Sequence, residues 1–413
     1  MMKDKDKLVI RSKAIFTADK KFPALLDGYI VVEDGKITDV KDGELPQVLI
    51  TQDIEVLDAV NDLVLPGFID PHTHLVHGGS RELELDMKLA GKSYMEIHEI
   101  GGIRSTVQAT RNLTEQELYD KARASLDRML TFGTTTVEAK SGYGLDKETE
   151  IRCLEVAQRL DREHPADVVG TYMGAHALPP EFENDTKGYI EFMLTEVMPE
   201  IKERGLAEFC DIFCEEGIFD IETSRNYMQK AKDMGFLLKA HADEIVPLGG
   251  AELAAEMGAI SAEHLMAISD EGIEMLAKSG TVAVLLPATT FFLMADRYAP
   301  AKKMLSAGVK VALATDYNPG SSPTENIQTA MSHACFGMGM RPEEILSAVT
   351  INAAKSIKRE GVAGSISVGK KADILITDVK SPAELIYRFG VNHIVEVYKN
   401  GRLAARQGRV CYE

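Results

Sequence analysis

Along residues 8–60, short apolar runs alternate with turns and no helical period develops. Leu8-Val9-Ile10 and Ile30-Val31-Val32 read as strands, with Glu33-Asp34-Gly35-Lys36 as a hairpin turn. The run Leu63-Val64-Leu65 reads as a buried strand ending at Pro66-Gly67 or shortly after. From Pro66 onward, strands alternate with amphipathic helices. Thr114-x-x-Glu117 is a capping box opening a helix with Leu118, Ala122, Leu126 and Leu130 on one face. Gly133-Thr-Thr-Thr-Val137 is the next strand, and further strands are predicted at 167–173, 209–214, 236–240, 259–262, 281–286 and 309–314. Helical segments separate most of them, as at 270–278 after Ser269. With the strand before His72, this makes eight between residues 63 and 314.

Eight β/α repeats predict an α/β fold of the (β/α)8 TIM-like barrel type, with functional residues at the C-terminal strand ends. After a helix from Pro342 through Ile345, Leu346 and Val349, the tail returns to strand character. Ala372–Ile376 and Ile394–Tyr398, with a turn at Asn400-Gly401, look like partners for the N-terminal strands. The expected organisation is a barrel over 66–354 beside a small β-sandwich built from 1–65 and 355–413.

Composition narrows the function. With 413 residues, 45% of them hydrophobic, the chain can bury a large core and a smaller one. A net charge of −18 without a run of Lys or Arg argues against nucleic acid and against an anionic membrane surface. The charged start, Met-Met-Lys-Asp-Lys-Asp-Lys, carries no apolar segment of the signal-peptide kind. The most apolar window, 281–295, contains Pro287 and is too short to span a bilayer. Five irregularly spaced cysteines read as reduced thiols of a cytoplasmic protein.

The chemistry sits where a barrel would put it. His72 and His74 are two apart, so in an extended segment their imidazoles point to one side. Lys140-Ser-Gly-Tyr143 follows the second strand, His176 the third, Glu215-Glu216 the fourth and His241-Ala-Asp-Glu244 the fifth. Glu263-His264 follows the sixth, and Thr315-Asp316-Tyr317-Asn318-Pro-Gly320-Ser321 the eighth. Any one histidine after a strand is ordinarily a satisfied polar residue, but so many at strand ends point to a metal site. Three imidazoles and a carboxylate, His72, His74, His241 and Asp316, suit a zinc- or iron-type divalent ion. Such an ion makes hydroxide accessible at neutral pH. Asp316 is then a candidate to take the water's proton, His264 to hydrogen-bond the oxygen of the attacked group, and Glu244 to shuttle a proton.

These residues carry a family resemblance. His-x-His after strand one, His after strands five and six, and Asp after strand eight resemble the amidohydrolase superfamily. Longer blocks narrow the likeness: Pro71-His-Thr-His-Leu-Val-His-Gly-Gly-Ser-Arg81, Glu138-Ala-Lys-Ser-Gly-Tyr-Gly-Leu-Asp146, Gly174-Ala-His-Ala-Leu-Pro-Pro180, Lys239-Ala-His-Ala-Asp-Glu244, Leu286-Pro-Ala-Thr-Thr-Phe-Phe-Leu293 and Ala314-Thr-Asp-Tyr-Asn-Pro-Gly-Ser321. They are similar to the branch that opens the ring of 4-imidazolone-5-propanoate to give N-formimidoyl-L-glutamate in histidine degradation. The resemblance implies that activity on a small molecule, one zinc or iron ion on His72, His74, His241 and Asp316, and a homodimer. It implies substrate contacts at Arg81, Tyr143, His176, Glu244, Asn318, Gly320 and Ser321.

Arg81 offers a bidentate fork for a carboxylate. Tyr143, between two glycines, is expected on a mobile loop, and Gly320-Ser321 to present backbone N–H groups or a hydroxyl. His77 stands where the family usually has an aromatic residue, so an extra imidazole there is a possible misleading ligand. Strand four supplies no lysine of the kind that carries a second metal, so one ion is expected. The rival within the superfamily is a deaminase of aromatic heterocycles, and the rival outside it a catalytically dead scaffold.

Overall fold

The computed structural model describes residues 7–22, 24–47, 49, 54–92 and 101–412. Most of the charged start, residues 1–6, lies outside them. Eight parallel strands form the barrel: β6 (Phe68–Thr73), β7 (Thr134–Lys140), β8 (Asp167–Ala175), β9 (Phe209–Cys214), β10 (Leu237–Ala242), β11 (Ser261–His264), β12 (Val282–Leu285) and β13 (Val311–Leu313). They pair in chain order. Just past the last strand the circle is drawn together: Asp316 N–H donates to the carbonyl of His72 at 3.0 Å, and His74 N–H donates to that of Tyr317 at 2.9 Å.

The termini build a second, nine-stranded sheet. The N-terminal part supplies β1 (Lys7–Ile15), β2 (Leu26–Glu33), β3 (Lys36–Asp42), β4 (Glu55–Asp58) and β5 (Leu63–Pro66), and the tail supplies β14 (Ile374–Thr377), β15 (Ile394–Lys399), β16 (Arg402–Arg406) and β17 (Arg409–Val410). Where a sandwich was expected, the termini form one sheet: eight strands lie on a continuous hydrogen-bonded path, joined where β14 runs antiparallel to β5, and β4 pairs with β1 off that path. Residue alternation decides its faces. Val64 packs with Ile10, Ile30 and Ile374 in the sheet's own core, while Leu63 and Leu65 pack with Phe68 and Leu130 against the barrel.

One expectation changes here. Leu63–Leu65 is not the first barrel strand: it ends in the terminal sheet, and the barrel begins at Phe68 after Gly67. A Cβ on Gly67 would stand 2.2 Å from Thr135 Oγ1, so only glycine lets the chain cross so close to β7. Both strands are fully buried, and an apolar run shows no period that would separate them.

Helices follow the expected chemistry. Thr114 and Glu117 form a reciprocal capping box at the start of Glu115–Thr131, which buries Leu118, Ala122, Leu126 and Leu130. Ser269 caps Asp270–Ser279. Among the described residues no helix is long and apolar enough to cross a membrane. All five cysteines are free, and Cys153, Cys210 and Cys214 are buried.

Candidate functional site

Placement of the histidines starts in β6. Asp70, His72 and His74 share one side of the extended chain, and Asp70 accepts hydrogen bonds from Thr315 N–H at 3.0 Å and Thr315 Oγ1 at 2.6 Å. That clamp holds the segment after β13 against β6 and brings Asp316 Oδ1 to 3.3 Å from His72 Nε2 and 3.8 Å from His74 Nε2. The other carboxylate oxygen of Asp316 accepts from Thr289 Oγ1 at 2.7 Å. His241, from β10, lies with its ring 4.5 Å from that of His72, and His264, at the end of β11, lies 5.1 Å from His241. Two donor groups result, His72–His241–His264 and His72–His74–Asp316, which share His72.

Backbone strain gathers at the same strand ends. Asp243, His264, Leu265 and Asp316 all have positive φ, between 50° and 71°, where non-glycine residues are uncommon. Each costs of order 1–3 kcal/mol that the surrounding structure offsets.

Electrostatics fit a cation. Burial opposes a charged His72, yet contact with Glu263 and Asp316 lifts it to about 9, so positive charge is favoured at this point. Burial and the neighbouring imidazoles hold His74 well below its ordinary range. Burial also works against an ionised Asp316, but His72 and Thr289 keep it down at about 2. Both ring nitrogens of His72 and of His241, and Nδ1 of His74, are buried without a hydrogen-bond partner. Orphaned nitrogens beside an ionised carboxylate are a donor set for a divalent ion.

A narrow cavity of about 30 Å³, roughly one water's volume, opens on these groups. Among the predicted positions, His72 and Gly320 alone do not line it, and Ile103 and Phe213 complete its walls. Glu244 Oε1 is 3.5 Å from His264 Nδ1, and burial beside Asp316 and Glu215 raises the Glu244 carboxyl to about 8. His176 stacks on His74 with ring centres 4.7 Å apart and is bound through Nδ1 to the Gly142 carbonyl at 3.0 Å. Burial and His241 lower it to about 3. The guanidinium of Arg81 donates to both oxygens of Glu84 at 2.8 Å and lies against Gly320, where a Cβ would stand 2.0 Å from Nη1.

Three expectations are altered. Tyr143 is 3% exposed and packs with Ile103, Val107 and Leu145, so it is seated rather than carried on an open loop. Its loop is pinned because Gly142, Gly144 and Leu145 all donate their N–H groups to the buried carboxylate of Glu150. Gly320 and Ser321 N–H both donate to Asn318 Oδ1 at 2.8 Å, so these two N–H groups organise the turn, while Ser321 still lines the cavity. His77 belongs to neither donor group; it accepts from Lys121 Nζ at 2.8 Å and is 3% exposed.

Sequence reasoning missed a cluster of fully buried ionic side chains in the barrel: Glu138, Lys140, Asp211, Lys239 and Glu263. The signal was there. Glu138 with Lys140, and Lys239 with His241, stand two apart at or just past the ends of predicted strands, and the observed strands extend through all four, a spacing that turns both residues of each pair to one side.

The chain's likeness to other proteins accords with this geometry. The profile described as "Amidohydrolase family" matches residues 63–404. An imidazolonepropionase of Treponema denticola is 60% identical over 407 residues, 97% of this chain and 98% of that protein. One from Alkaliphilus metalliredigens is 51% identical over 93% of this chain and 92% of its own length.

The chain belongs to the imidazolonepropionases, within the amidohydrolase family.

Solved structures extend the likeness in fold alone. A zinc-bound adenosine deaminase from Xanthomonas campestris superposes with a TM-score of 0.71 at 16% identity, covering 98% of this chain and 94% of that one. A 5-methylcytosine deaminase from Klebsiella pneumoniae superposes at 0.75 with 18% identity, covering 98% and 99%. Membership in the imidazolonepropionases therefore rests on sequence, and the barrel is shared far more widely.

Proposed function

We propose that this chain is a hydrolase that opens the ring of 4-imidazolone-5-propanoate, giving N-formimidoyl-L-glutamate. The observation that carries this is 60% identity to a curated imidazolonepropionase over 97% of the chain. His72, His74, His241 and Asp316 would hold one divalent ion, zinc or iron, since three imidazoles and a carboxylate suit either. When bound, such an ion polarises a carbonyl and lowers the pKa of water towards about 7.

The chain's own residues then divide the work. Asp316, ionised, is the acceptor for the attacking water's proton. His264 donates a hydrogen bond to the oxygen of the ring carbonyl. Glu244, held protonated up to about pH 8 by burial beside Asp316 and Glu215, delivers a proton to the ring nitrogen as the C–N bond breaks. Arg81, oriented by Glu84, pairs with the propionate, while Tyr143, His176, Asn318 and Ser321 shape the pocket and Gly320 makes room for the guanidinium. The cavity must widen from about 30 Å³ to admit this substrate.

A net charge of −18 without a basic stripe favours a free small molecule over nucleic acid. We read the enzyme as a cytoplasmic homodimer, as the family likeness suggests; sedimentation at enzyme concentrations tests the dimer.

The deciding experiment supplies imidazolonepropanoate freshly made by urocanase to metal-replete protein and follows ring absorbance and formimidoylglutamate. Turnover should vanish with the metal. Arg81→Ala should lower kcat/KM by roughly 10- to 150-fold with metal content unchanged, the loss of one charged hydrogen-bonding partner. No turnover from a metal-replete sample would overturn the reaction, and ammonia release from aminated heterocycles would put a deaminase in its place.

A further inference from the structure

Beneath the candidate metal ligands lies a closed ionic cluster that the reaction does not use. Lys140 Nζ sits 2.9 Å from Glu138 Oε1, 2.7 Å from Asp211 Oδ2 and 2.9 Å from Glu263 Oε2. Lys239 Nζ sits 3.3 Å from Glu138 Oε1 and 2.9 Å from Glu263 Oε1. All five side chains are fully buried. Asp211 and Glu263 could themselves be read as metal ligands, since with His241 they form a third compact donor group. The Lys140 ammonium already stands between those two carboxylates, in the place a cation would take.

Each carboxylate is anchored through one oxygen and turned toward an imidazole with the other. In Glu263, Oε1 accepts from Ser261 Oγ at 2.8 Å and Lys239 Nζ at 2.9 Å, while Oε2 touches His72 Nδ1. In Asp211, Oδ1 accepts from Ile212 N–H at 2.8 Å and His241 N–H at 3.2 Å, while Oδ2 lies 3.1 Å from His241 Nδ1. Neither imidazole contact is yet aligned as a hydrogen bond. Both contacts use Nδ1, and in both rings Nε2 is the nitrogen left over.

We propose that Glu263 and Asp211, locked by Lys140, are positioning residues that take the Nδ1–H of His72 and His241 and so present Nε2 of both rings to the metal ion. Carboxylates behind ligating histidines fix the tautomer and ring angle and raise the basicity of the ligating nitrogen. The proposal rests on the metal reading above, and it concerns binding of the ion rather than the reaction.

The test uses zinc or cobalt(II) with the full chain. Competition with a chromogenic chelator should show zinc affinity reduced about 10- to 100-fold in Glu263→Gln and in Asp211→Asn. The cobalt(II) visible spectrum should shift in each, reporting a changed ligand field at an ion that is still bound. Nitrogen-15 spectra of histidine-labelled, zinc-bound wild type should show Nδ1 protonated in His72 and His241; this arm needs no variant to fold. Wild-type affinity and spectrum in both folded variants, or zinc on Nδ1 of either ring, would overturn the proposal. A wild-type chain that takes up no ion would overturn it together with the metal reading. Tight uptake with the expected tautomers but no turnover would uphold it and overturn the reaction alone.

Discussion

The upper ring of the barrel interior and the layer beneath it handle polar groups in opposite ways. His72, His74 and His241 carry buried ring nitrogens with no hydrogen-bond partner. Two residues before His241 on the same strand, Lys239 is paired with two carboxylates, and Lys140 with three. A buried polar atom left alone costs free energy and is kept where something else is meant to bind it. A charge-paired cluster, here two ammoniums among three carboxylates, offsets much of its desolvation cost, so its value lies in rigidity. The contrast separates the part of the barrel that receives a ligand from the part that holds the receiver still.

Breaking the lower layer should cost most. Lys140→Met leaves Asp211 and Glu263 facing each other without their shared cation, and denaturant unfolding of metal-free protein should show a loss of about 3–5 kcal/mol. His241→Ala, in the upper ring, should abolish zinc uptake yet lower metal-free stability by only about 1–2 kcal/mol. Equal losses in the two variants would erase the distinction.

A buried histidine outside both layers sharpens the comparison. Burial, then Lys121, depresses His77 to about 3. Its folded value lies below the unfolded value of about 6.5, so the neutral ring's contribution is fully present above pH 6.5 and is lost as pH falls from there towards 3. His77→Phe removes that loss. Its unfolding free energy relative to wild type should improve between pH 7 and pH 4 by on the order of 3 kcal/mol, read from denaturant melts at each pH. A constant difference across that range would mean that the ring is charged in the fold or hydrated.

The smallest effect belongs to the surface. Arg225 and Glu256 pair at 2.6 Å with both side chains nearly half exposed, and Arg225→Ala should change stability by no more than about 0.5 kcal/mol. A larger change in the same melts would show that exposure is a poor guide to the worth of an ion pair here.

Local pattern alone determined a good deal. The β/α alternation, the capping boxes, the spacing of His72 and His74 and the clustering of histidines at strand ends depend on near neighbours, and each is written in consecutive residues. The tertiary structure decided what depends on distant partners. Apolar burial cannot distinguish two sheets, so Leu63–Pro66 went to the terminal sheet because β1, some 50 residues earlier, and β14, some 310 residues later, pair with it on either side. Tyr143 looked mobile between its glycines until Glu150, folded back from the next helix, gathered three N–H groups of its loop. Lys140, on β7, found Asp211, on β9, across 71 positions of sequence because the curved barrel wall turns both side chains into one interior, with β8 between their strands, and no local rule encodes that meeting. Chemistry set by residue type and short spacing is legible in one dimension. Which charge meets which, and which nitrogen is left for a metal, follows from closure of the barrel.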